Sequence, residues 1–291
     1  MGGSNYDSGA RSLRNNNYSG QSINSIFEQQ KRGVIHESMN PNQITLRECR
    51  DSEVHPNTIP IIVGMDVTGS MGKIPHSLVQ KGLPTLMSKL IEKGVDDASL
   101  LFTAVGDHIS DNYPLQVGQF ESGDVELDMW LTRTYLEGNG GGNGGESYGL
   151  VWDFVNRFVK TDAWEKRNQK GFVFTFGDEP FHQTLPASFL KSLYKEVECS
   201  ESISLESIMK SLEKKWNFFH IHILNSSGRG NAVAGILKPL LGEHLILCSD
   251  YTEIPNIIAD KILGMVDISK PVVENKTQKL SVEIKEEVEM L

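Results

Sequence analysis

Two patterns of apolar and polar positions alternate along this chain. Short, nearly continuous apolar runs are followed by polar loops, and the loops by segments whose apolar residues recur every three or four positions. The runs are Ile61-Ile62-Val63, Ser99–Val105, Gly171–Phe176, Phe218–Leu224 and His244–Cys248. Runs of this length without period-two alternation predict strands covered on both faces, as in a parallel sheet. Between them, Ile74, Leu78, Val79, Leu86, Met87, Leu90 and Ile91 trace one helical face, with a bend expected at Pro84. Further helices are predicted around 125–131, from Leu150 to Val159, over 186–197, 203–215 and 232–241, and from Ile254 to Met265. Leu115–Phe120 reads as an antiparallel edge strand. Strand–helix alternation over this length predicts an α/β fold: a doubly wound, mostly parallel sheet with helices on both faces, Rossmann-like, and one antiparallel edge strand.

The flanks read differently. Residues 1–24 are rich in Gly, Ser and Asn and are expected to form a flexible arm, disordered in the isolated protein. The alternative is that Tyr6, Arg11, Arg14 and Tyr18 order by docking. Residues 25–58 form an amino-terminal extension in which Gln43–Cys49 alternates enough for a short edge strand. Residues 59–268 carry the strand–helix pattern. Residues 269–291 form a charged tail, with Leu280, Val282 and Ile284 spaced for one more strand or a docked segment.

The candidate chemistry lies where the first buried strand ends, in Met65-Asp66-Val67-Thr68-Gly69-Ser70-Met71-Gly72. In open α/β sheets, ligands bind outside the carboxyl ends of the strands. Asp66, Thr68 and Ser70, two residues apart, can turn three oxygen-bearing side chains onto one point. One carboxylate and two hydroxyls suit a hard cation such as Mg²⁺ or Mn²⁺. This Asp-x-Thr-Gly-Ser run after a buried strand resembles the signature that opens the metal-ion-dependent adhesion site (MIDAS) of von Willebrand factor A (VWA) domains, and its Asp-x-Thr-Gly-Ser-Met form resembles intracellular bacterial and viral members.

The resemblance implies two further metal loops. One corresponds to Gly138–Ser147, where Gly142 stands in the place of the family's threonine and Asn143 or Glu146 would supply an oxygen instead. Glu146 could equally complement the positive end of the following helix. The other corresponds to Thr175-Phe176-Gly177-Asp178-Glu179-Pro180, where the family's Thr-Asp-Gly has Phe176 in the acid's position and the acid is displaced to Asp178. The alternative for Asp178 is a cap of the next turn. The metal residues so implied are Asp66, Thr68, Ser70, Asp178, Asn143 and Glu146. The implied function is a non-enzymatic, metal-dependent protein-binding module, an adaptor or assembly component. A partner's Asp or Glu carboxylate would complete the coordination. Family members often work beside AAA+ ATPases or in larger assemblies, including viral ones.

Two alternatives stand beside it. The same residues resemble the Asp-Lys-Thr-Gly-Thr motif of phosphoaspartate (HAD-like) phosphotransferases, with Gly177-Asp178 as the magnesium-binding pair. Against this, Val67 replaces the lysine and no second acid stands two residues after Asp66. A VWA-like fold that has lost its metal and serves as a scaffold is the other. His220 and His222 share a strand face, but without a third ligand at suitable spacing they read as structural. Asp107, Asp111 and Asp250 follow strands and can line the same rim, and Gly228–Asn231 reads as a turn or contact loop.

Composition narrows the partners. A formal net charge of -10 argues against nucleic acid. No apolar run approaches a membrane span, and the first residues lack an apolar secretory core. Three isolated cysteines, Cys49, Cys199 and Cys248, read as free thiols of a reducing, cytoplasmic compartment rather than a disulfide framework or zinc site.

Overall fold

The computed structural model describes residues 4–138, 144–195, 197, 200–226 and 228–266. The sequence patterns at Leu280, Val282 and Ile284, and at Gly142 and Asn143, lie outside these residues, as does Cys199. Its centre is a six-stranded sheet built from β1 (Ile59–Asp66), β2 (Ala98–Val105), β3 (Leu115–Val117), β4 (Gly171–Gly177), β5 (Trp216–Ile223) and β6 (Leu245–Cys248). The spatial order is β6-β5-β4-β1-β2-β3. All neighbours are parallel except β3, which runs antiparallel to β2 on the edge.

The strands are apolar on both sides because both sides are covered. Ile61, Val63 and Met65 face one core with Leu86, Leu90, Leu127, Ile258 and Ile262. Ile62 faces the other with Leu150, Val151, Phe154, Ile208 and Leu237. The α/β class with a mostly parallel sheet and an antiparallel edge is therefore as the sequence pattern predicts.

The bend expected near Pro84 is a π-helical turn over Leu78–Gly82, between helices Ile74–Ser77 and Leu83–Glu92. Proline has no N–H to donate into the ladder, and a π-turn absorbs that irregularity. Arg47–Cys49 pairs in parallel with Val159–Thr161, outside the main sheet.

The amino-terminal segment differs most from expectation. Ser8–Tyr18 is a helix, capped by the Asp7 side chain on the Ala10 N–H. Arg11 is fully buried and bonded to Asp128, Arg14 donates to Asp124, and the Tyr18 hydroxyl donates to Asp128 at 2.6 Å. Composition reports how little apolar area the segment can bury. It does not report ion pairs, and here Arg11, Arg14 and Tyr18, three of the residues that the docking alternative singled out, find their partners on helix Asp124–Thr132 of the same chain.

The described residues include no helix long and apolar enough to cross a membrane. Cys49 and Cys248 are buried free thiols.

Candidate metal centre

Chain order reverses across the sheet between β1 and β4, and the carboxyl ends of those two strands open the crevice where open α/β sheets bind ligands. Asp66 ends β1, and Asp178 follows directly on β4. Both are fully buried.

Asp66 Oδ1 accepts the Thr68 backbone N–H at 2.9 Å and the Thr68 hydroxyl at 2.6 Å. Its Oδ2 accepts the Tyr148 hydroxyl at 2.7 Å. Ser70 Oγ donates to Asp178 Oδ1 at 2.8 Å and lies 3.3 Å from Thr68 Oγ1. The chain curls through a 3₁₀ turn, Gly69–Met71, and leaves it at Gly72 with φ +47°, a backbone region that side chains with a Cβ disfavour. Sequence proximity therefore brings Asp66, Thr68 and Ser70 together, and the parallel pairing of β1 with β4 brings Asp178 to them.

Glu146 reaches the same rim by a different route. Its N–H donates to Pro180 O at 2.8 Å, and the His182 N–H donates to Glu146 O at 3.2 Å, so its loop is stitched to the loop after β4. Phe176, in the position where the VWA pattern carries its acid, is instead buried in the core beneath. Asp111 accepts the Asp107 N–H at 2.7 Å, and Asp250 caps the turn at Thr252 rather than joining the rim. Arg229, in the loop after β5, pairs with Glu179.

The electrostatics follow from crowding buried acids. Burial pushes the Asp66 carboxyl up to about 7, against the hydrogen bonds from Thr68 and Tyr148 and with the help of Asp178. Burial, then Asp66, Asp111 and Asp107, pushes the Glu146 carboxyl up to about 10, which favours its neutral form. Among the described residues, Asp178 Oδ2 and Glu146 Oε2 are buried without a hydrogen-bond partner. A buried carboxyl oxygen without a partner costs free energy, and ionising such a group is costly unless a cation compensates the charge.

The oxygen set fits Mg²⁺ or Mn²⁺. Thr68 and Ser70 each direct a hydroxyl proton to a carboxylate, which leaves their lone pairs free for a cation. Neighbouring corners of an octahedron with 2.0–2.1 Å bonds lie about 3 Å apart, close to the separation of the two hydroxyl oxygens.

Tyr148 is the residue that reading by motif missed. It is fully buried, and a Cβ built at position 177 would lie 2.0 Å from its hydroxyl oxygen, so the glycine there is what admits it. A hydrogen-bonding aromatic two residues after Glu146 was the available signal. Among the described residues His220 and His222 do not meet a third ligand: His220 bonds Thr175 at 3.0 Å and packs on Tyr148, while His222 bonds Gly230 O at 2.9 Å.

No family model and no curated protein matches the chain. Among solved structures it is similar to the pilus adhesin SpaC of Lactobacillus rhamnosus GG in its open conformation, with 8% identity over 75% of this chain and a TM-score of 0.46. It is also similar to proximal thread matrix protein 1 of the mussel byssus, with 11% identity over 75% of this chain and a TM-score of 0.46. The chain spans 31% of the length of the SpaC chain and 49% of that of the byssus protein.

Proposed function

We propose that this chain is a metal-ion-dependent protein-binding module of the VWA type, acting as an adaptor or assembly component rather than an enzyme. Asp66, Thr68 and Ser70 hold Mg²⁺ or Mn²⁺, Asp178 supports them directly or through water, and Glu146 lies beside them. The observation that carries this reading is the Ser70–Asp178 hydrogen bond, which joins the loops after β1 and β4 at the strand-order reversal.

A site with few charged ligands leaves the cation electrophilic. An Asp or Glu carboxylate from a partner protein is the ligand that such a cation takes, and it brings the charge that the site's hydroxyls lack. A cytoplasmic setting belongs to the same proposal, on the unpaired Cys49 and Cys248 thiols.

The phosphotransferase alternative is disfavoured because Val67 stands where that motif carries its lysine and no second acid stands two residues after Asp66.

Calorimetric titration of chelator-stripped protein with Mg²⁺ and Mn²⁺ tests the reading. Wild type is expected to bind and Asp66→Ala to lose binding while remaining folded. Equal affinity in the two would place the metal away from Asp66, and no binding by wild type would leave the metal-free scaffold. A hydroxylamine-sensitive label on Asp66 from an acyl-phosphate donor would establish the phosphotransferase.

A further inference from the structure

A second cluster lies beside the oxygen site and is built from nitrogen as well as oxygen. Asp107 and His108 follow β2, and His182 lies in the loop after β4. The Asp107 carboxylate has about 1% of its surface exposed, and its Oδ1 lies 2.7 Å from His182 Nε2 and 3.8 Å from His108 Nδ1. One ligand atom from each of the three residues lies within 4.8 Å of the others.

The surroundings fix these groups in place. Asp107 Oδ1 accepts the Ile109 N–H at 3.2 Å, and Oδ2 accepts the Ser110 hydroxyl at 3.0 Å. The two imidazoles meet edge to face at 4.8 Å, and the His108 ring rests against Phe189 at 5.0 Å. Ser147 Oγ stands 2.7 Å from His108 Nδ1 and 3.4 Å from Asp107 Oδ1.

His182 Nε2 bonds Asp107 Oδ1, and the bond to Ser147 Oγ holds His108 Nδ1 facing the same oxygen. One carboxylate oxygen and two ring nitrogens therefore converge where a single cation could be held by all three.

We propose that Asp107, His108 and His182 form a second metal centre, with two imidazoles and one carboxylate holding Zn²⁺ or a similar divalent transition ion. Ser147 or an incoming ligand would complete it. Imidazole nitrogen selects borderline-soft ions, whereas an all-oxygen set suits Mg²⁺. The two neighbouring sites therefore sort their metals by donor chemistry. Glu146 stands between them: its backbone is bonded to His182, and its carboxyl feels both Asp66 and Asp107. This centre does not depend on the oxygen site being filled.

The test is a Co²⁺ titration of untagged, chelator-stripped full-length protein in excess Mg²⁺, read by visible d–d absorption and checked by displacement with Zn²⁺. One equivalent of Co²⁺ is expected. Affinity should fall at least tenfold in His182→Gln and in His108→Gln, and be retained in Asp66→Ala. Circular dichroism checks that each variant folds. X-ray absorption of the wild-type Co²⁺ protein counts the imidazoles without any variant and should find two. The proposal is overturned if wild type binds no Co²⁺, if fewer than two imidazoles are found, or if binding survives both histidine changes. Loss in Asp66→Ala alone would also overturn it, since the ion would then belong to the oxygen site.

Discussion

Tyr148 reaches Asp66 only because residue 177 is glycine. The phenol donates to Asp66 Oδ2 at 2.7 Å, and a Cβ at 177 would lie 2.0 Å from the phenol oxygen and 2.7 Å from the carboxylate. The hydrogen bond that steadies the buried acid thus depends on the chain leaving β4 without a side chain.

Two substitutions probe that contact. Tyr148→Phe removes a donor from a buried carboxylate and should cost about 1–3 kcal/mol of metal-free stability, read as a fall in urea midpoint. Gly177→Ala should cost at least as much and also weaken Mg²⁺ binding, because Tyr148 and Asp66 must both move. Wild-type midpoints in both variants would show that the contact contributes nothing.

The carboxyl groups set a pH dependence that a bound metal should remove. In the metal-free protein Asp66 is raised from 3.8 to about 7. Between those values the unfolded chain has released the proton while the folded chain keeps it. Stability from this group is therefore full below about 4 and falls as pH rises through about 7, and Glu146 extends the decline toward 10. A bound cation favours the ionised carboxylates, so Mg²⁺ affinity should rise over the same range. Denaturation midpoints measured from pH 5 to 8, with chelator and with excess Mg²⁺, should diverge as pH increases. Parallel curves would argue against a cation at Asp66.

The hydroxyls should matter less than the acid. Thr68→Ala and Ser70→Ala each remove one neutral oxygen and are expected to weaken Mg²⁺ binding, where Asp66→Ala abolishes it. Ser70→Ala also strips Asp178 Oδ1 of its donor. A calorimetric ranking with a hydroxyl variant below Asp66→Ala would be inconsistent with Asp66 as the main charge.

The amino-terminal helix should come away as a unit. Asp128→Ala removes the acceptor of Arg11 and Tyr18 together. Breaking so buried a pair costs about 3 kcal/mol or more. Limited proteolysis of this variant should trim residues up to about 24 and leave a compact remainder, whereas wild type should resist. Equal trimming of both would show that the ion pair does not hold the helix.

By itself, the sequence determined the α/β class, the buried strands, the antiparallel edge and the local run Asp66-Thr68-Ser70. These are short-range properties: burial on both faces dictates uniform apolar runs, and a tight loop places residues two apart around one point. Asp178 was legible for a related reason, since a carboxylate at a strand end has little to pack against. Only the tertiary structure decided what depends on strand order and loop stitching. It brought Tyr148 onto Asp66, His182 onto Asp107 from 75 residues away, and Arg11 onto Asp128. Each is a single pair of polar groups joined over a long loop of chain. No periodicity records such a pair, because its partner is chosen by the packing of the sheet and not by its neighbours in sequence.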